Sequence, residues 1–132
     1  MIVVDTSALI AIVKREPMAS LCSEILIFEP TVIISAGTLV EARIVAVRGG
    51  REDALDEIIA ASIDKVIPVT EDRARFISNV YWNWGKGFHK ASLNFGDCFA
   101  YATAKEFDCP LLYIGNDFSQ TDVKSAIPAS SR

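Results

Sequence analysis

The chain has 132 residues, 51% of them apolar and 23% charged, long enough to bury a full core and too short for two ordinary domains, so one domain over residues 1–132 is expected. This balance excludes a disordered chain, and no apolar run approaches the roughly 18 residues that a membrane span requires. A net charge of −4 argues on electrostatics alone against a nucleic-acid partner.

Ile2 to Val4 reads as a short buried strand, and Ala8 to Val13 as a short helix that stops before Pro17. From Met18 to Phe28, apolar residues recur at helical spacing (Met18, Leu21, Cys22, Ile25, Phe28). "TVIIS" follows as a strand without polar alternation, the pattern of a strand covered on both faces. "TLVEARIVAV" reads as a helix ended by Gly49 and Gly50, and a further helix carries Leu55, Ile58, Ile59 and Ser62 on one face. "KVIPV" is the third strand, and Pro68 assigns it to an edge or a strand end. Thr70 is placed to cap a helix with Glu71 and Asp72 in its first turn and Phe76, Ile77, Val80, Tyr81 and Trp84 on its faces. A loop over residues 85–93 leads to a helix from Phe95 to about Phe107, then to the strand "PLLYI", with a short edge strand expected around Val123. Short apolar strands alternating with helices predict a three-layer α/β/α sandwich around a mainly parallel sheet of four to five strands.

Asp5 interrupts the N-terminal apolar stretch almost at once, which does not suit a signal peptide, so a cytoplasmic location is expected. Three cysteines (Cys22, Cys98, Cys109) cannot all pair within one chain and match no zinc spacing, so buried free thiols are expected. With a single histidine, His89, any metal would be held by oxygen, which selects Mg²⁺ or Mn²⁺.

In such a sandwich, ligands bind at the carboxyl ends of the strands. Asp5 ends the first strand and Asp117 lies just beyond the fourth; Glu41 and Asp97 fall in the first turns of two helices that start on the same edge. Singly, each has a structural explanation: Thr38 and Glu41 form a capping-box pattern, Asp97 follows a cap at Asn94, Asp117 suits a turn, and Asp5 suits a cap. Together they are four carboxylates at one edge, whose repulsion a divalent cation would relieve. Setting them aside leaves a remainder with no net charge, which weakens the objection to a polyanionic ligand. The hydroxyls of Thr6 and Ser7 are placed to hold Asp5 in one rotamer, and Asp122 to join or support the site.

"VVDTSAL", "SAGTLVEA", "LNFGDCFAYATAK" and "LLYIGNDFSQTDV" resemble, in order, the acidic motifs of PIN-domain ribonucleases, specifically the VapC toxins of bacterial toxin–antitoxin pairs. The resemblance covers nearly the whole chain. It implies an endoribonuclease that hydrolyses RNA with Mg²⁺ or Mn²⁺, Asp5, Glu41, Asp97 and Asp117 forming the acidic site, a VapB-type antitoxin as partner, and a homodimer. Where many PIN domains carry the last acid directly after the strand, this chain has Tyr113, Ile114 and Gly115. Asp117 and Asp122 are therefore alternatives for the last ligand, with Asp117 preferred.

In "YWNWGKGFHKASLNFGD", Lys86, His89 and Lys90 stand beside Trp82, Trp84 and Phe88, a combination suited to phosphates and unpaired bases. An aspartyl-nucleophile phosphohydrolase would need a second Asp where Ser7 stands. The remaining alternatives are an RNA-processing nuclease without a toxin role and a binding module whose acids only cap helices.

Overall fold

A computed structural model of the chain describes residues 1–131. Four short strands, β1 (Ile2–Val4), β2 (Val32–Ser35), β3 (Lys65–Ile67) and β4 (Leu111–Leu112), form a parallel sheet in the order β3-β2-β1-β4. Six helices surround it: α1 (Thr6–Val13), α2 (Ala19–Phe28), α3 (Ala36–Arg48), α4 (Glu52–Ser62), α5 (Glu71–Trp84) and α6 (Phe95–Glu106).

The strands are apolar on both faces because both are covered. Ile2 and Val4 point into a core built with Leu9 of α1, Cys22 and Leu26 of α2, Ala42 and Ala46 of α3 and Leu55 of α4. Val3, Ile33 and Ile67 point the other way, against Val80 of α5 and Cys98 and Tyr101 of α6. The three layers expected from the alternation of strands and helices are present. β3 is indeed an edge strand, and Pro68 follows its last residue. The three cysteines are free, two of them buried.

Four expectations need correction. α3 begins at Ala36, capped by Ser35, whose hydroxyl accepts from the Gly37 N–H at 3.2 Å. Thr38 is therefore inside the helix and forms no capping box with Glu41, which falls in the second turn. α1 starts two residues early, at Thr6, because Asp5 caps it. The expected strand around Val123 is a single parallel bridge at Ser125, where Leu111 donates to Lys124 O and accepts from Ala126 N. "PLLYI" likewise contracts to Leu111–Leu112.

The two helices of the second face run antiparallel. Arg73, near the start of α5, binds Glu106 at the end of α6 through its Nε and Nη2 at 3.0 and 2.9 Å. Ile77 and Tyr81, farther along α5, share a cavity with Phe95 and Cys98 at the start of α6. The loop joining α5 to α6 therefore lies at the N-terminal end of α6, on the edge that carries Asp97.

Leu55 is the one fully buried side chain of α4. Leu55→Ala is expected to cost about 2 to 5 kcal/mol in urea denaturation, against less than about 0.5 kcal/mol for Val47→Ala on the exposed face of α3.

Candidate active site

Asp5 follows β1 and is almost wholly buried, at 4% exposure. Its Oδ2 accepts from the Ser7 N–H at 3.1 Å and the Ser7 hydroxyl at 2.7 Å. The Ser7 hydroxyl accepts in turn from Ile114 N–H at 3.0 Å, so a single oxygen ties the first acid to the segment leaving β4. Asp5 Oδ1 is buried and has no hydrogen-bond partner. A capping role accounts for Oδ2 and leaves Oδ1 unexplained, since a buried unpaired carboxylate oxygen is costly.

Asp97 is the third residue of α6 and forms a true capping box with Asn94, its N–H donating at 2.8 Å to Asn94 Oδ1 and its Oδ2 accepting from Asn94 N–H at 3.0 Å. Glu41 is oriented by Thr6, whose hydroxyl donates to Oε1 at 2.7 Å. The two hydroxyls thus divide their work: Ser7 holds Asp5, and Thr6 holds Glu41 rather than Asp5. α3 and α6 approach closely here, and two glycines face side chains of the opposing helix. A Cβ at Gly96 would lie 2.0 Å from Glu41 Oε2, and one at Gly37 would lie 2.2 Å from the Phe99 ring.

Asp117 is exposed in the turn after β4, which Phe118 anchors by burying its ring 5.1 Å from that of Tyr113. Asp122 is not brought to the other acids. Tyr101 donates to its Oδ1 and Lys105 donates to its Oδ2 at 3.2 Å. Tyr101 and Lys105 lower its pKa, whereas Asp97 feels Asp5, Asp117 and Glu41.

Burial pushes Asp5 up to about 6, with Glu41 adding to the rise and the Ser7 hydrogen bonds opposing it. Burial pushes Asp97 up to about 7, opposed by the Asn94 backbone and reinforced by the charges of Asp5, Asp117 and Glu41. Among the described residues, no group of three or more His, Cys, Asp or Glu side chains is gathered closely enough to hold a metal ion as it stands. Thr6, Ser7 and Asn94 each occupy one oxygen of a carboxylate. The donor set nevertheless fits a hard divalent cation in kind: carboxylates that repel one another, one of them with an orphaned buried oxygen.

On the adjoining loop, Lys86 and Lys90 are exposed, while His89 is half-buried with its ring 4.8 Å from that of Trp84. His89 Nδ1 accepts from the Ala91 N–H at 2.9 Å, which leaves Nε2 for any external contact. The loop is closed by a bridge between Gly85 and Leu93.

Asp5 and Asp97 titrate higher when folded than their ordinary value of 3.8. The folded state therefore binds the extra protons, and the stability this confers is complete below about pH 4 and lost as pH rises through 6 and 7. In EDTA, these two groups should lower stability by a few kcal/mol between pH 5 and 8, and Asp5→Asn should flatten that slope. Mg²⁺ should restore stability at pH 8 and add little at pH 5. Thermal melts of both proteins check this, and equal pH slopes for the two would contradict it.

The sequence matches the PIN domain family over residues 2–124. It is 40% identical over 126 residues to a ribonuclease VapC of Mycolicibacterium smegmatis, covering 92% of this chain and 96% of that one. It is also 40% identical over 131 residues to ribonuclease VapC28 of Mycobacterium tuberculosis, covering 95% and 97%. The fold is similar to that of Mycobacterium tuberculosis VapC20, a sarcin-ricin loop cleaving toxin, with a TM-score of 0.77 and 20% identity over 97% of this chain and all of that one. A toxin–antitoxin complex from Klebsiella pneumoniae gives a TM-score of 0.70 at 20% identity, covering 92% and 93%. The chain therefore belongs to the PIN-domain family and, within it, to the VapC ribonucleases.

Proposed function

We propose that this ribonuclease hydrolyses RNA phosphodiester bonds at the edge that carries Asp5, Glu41, Asp97 and Asp117, with Mg²⁺ or Mn²⁺ as its cofactor. The observation that carries this reading is the buried, unpartnered Oδ1 of Asp5, set among acids whose charges raise Asp97. The bound cation would supply a lowered pKa for water and charge stabilisation at the scissile phosphate.

The residues of the chain do the positioning. Ser7 fixes Asp5 so that Oδ1 is the oxygen left to bind, and the capping box fixes Asp97 on the rigid start of α6. Glu41, held by Thr6 through Oε1, accepts a proton from the attacking water through its other oxygen. Asp117 completes the acidic set from the turn after β4. Lys86 and Lys90, with His89 through Nε2, hold the phosphates that flank the cleaved bond and offset the repulsion between the acids and a polyanion.

The chain works as a single domain in the cytoplasm. Its partners are a VapB-type antitoxin and a second copy of itself. No helix among the described residues is long and apolar enough to cross a membrane. Ile27 and Phe28 at the end of α2 are 73% and 77% exposed and offer an apolar site for the antitoxin, whereas Leu55, Ile58, Ile59 and Ile63 from the α4 region pack into the core. Val40 and Ile44 of α3, exposed beside Phe95, and Val47 farther along the same helix offer a face for the second copy.

Asp5→Asn and Asp97→Asn should each slow EDTA-sensitive RNA cleavage by at least about a hundredfold without loss of the folded circular dichroism signal. Cleavage at the wild-type rate by both variants would refute the reading. Gly96→Ala should displace Glu41 and lower kcat by about ten- to a hundredfold with RNA affinity nearly unchanged, as a KM-against-kcat comparison would show.

A further inference from the structure

Trp82 is 68% exposed near the C-terminal end of α5, and Phe88 is 51% exposed in the following loop. Their ring centroids are 4.6 Å apart at an interplanar angle of 36°, and Tyr81 braces Phe88 edge-on at 6.0 Å. Two large aromatic rings held against each other in water are an unusual use of apolar surface, because the same residues could have been buried. Trp84 shows the contrast: it is half-buried, with its ring 5.9 Å from that of Tyr101, and serves the core.

The surroundings specify what covers the pair. Lys86 and Lys90 lie in the same loop, and neither pairs with a carboxylate among the described residues. The antiparallel packing of α5 on α6 places this loop at the end of α6 that carries Asp97. A tilted pair of exposed aromatic rings with two unpaired ammonium groups, beside an acidic site, is complementary to a strand that offers stacked rings and phosphates together.

We infer that Trp82 and Phe88 form a stacking platform for an unpaired nucleobase of single-stranded RNA, next to the phosphates held by Lys86 and Lys90. This rests on the ribonuclease reading of the acidic site. A duplex cannot use the platform, because its bases are already stacked on one another. The platform therefore makes the enzyme favour single-stranded segments and loops while leaving the order of bases largely unread.

The test measures binding of a fluorescein-labelled 12-nucleotide single-stranded RNA, and of the same strand in a duplex, in Mg²⁺ on an Asp5→Asn background. Trp82→Ala and Phe88→Ala should each weaken single-strand binding about tenfold and leave duplex binding unchanged. Trp82→Phe should restore most of the loss. Lys86→Ala combined with Lys90→Ala should weaken both forms and flatten the salt dependence. Unchanged single-strand affinity in Trp82→Ala would overturn the platform, as would equal losses for strand and duplex. A lower sedimentation mass in Trp82→Ala with RNA affinity intact would assign the pair to contact with a second copy instead. Continued cleavage by the Asp5→Asn background, or no RNA binding by any variant, would instead bring down the acidic site and the platform with it.

Discussion

A carboxylate taken out of water with one oxygen unpaired is the constraint around which this molecule is arranged. Asp5 follows the central strand β1, between β2 and β4, and is almost wholly buried. Ser7 satisfies one oxygen and, through Ile114, joins the ends of β1 and β4. The other oxygen can be satisfied only from the mouth of the site, where Glu41, Asp97 and Asp117 bring more negative charge. Repulsion and burial both push the acids toward protonation, and a cation reverses both effects at once.

Helix capping and the proposed acidic site use the same side chains here without competing. Asp97 spends Oδ2 on Asn94 and Asp5 spends Oδ2 on Ser7, so each carboxylate is pinned through one atom. Pinning through one oxygen is what fixes the direction of the other. Thr6 does the same for Glu41 from a different helix, which makes the relative placement of α1 and α3 a determinant of the site. Gly96 and Gly37 permit this because their missing side chains let α6 close on α3.

The strands and the three layers were legible in the sequence because each depends on local pattern, unalternated β-branched runs and helical spacing, and so were the places of Asp5 after a strand and of Asp97 in the first turn of its helix. Caps at Thr70 and Asn94 were legible for the same reason, and both side chains accept the expected backbone N–H. Thr38-x-x-Glu41 misled because Ser35, three residues earlier, offers an equally good cap, and the strand end decides between them. The partner of the Thr6 hydroxyl could not be read, since it depends on the packing of α1 against α3. The fate of Asp122 was hidden in the same way. Only the return of the chain after residue 120 brings it to Tyr101 and Lys105 on α6.

The central claim is that the unpaired oxygen of Asp5 is one seat of a divalent cation. Anomalous diffraction from crystals grown with Mn²⁺ near pH 8 tests it most directly. The account predicts an anomalous peak in contact with Asp5 Oδ1 and the Asp97 carboxylate, absent in Asp5→Asn. A fully occupied manganese elsewhere on the molecule, with Asp5 Oδ1 still unpaired, would contradict it.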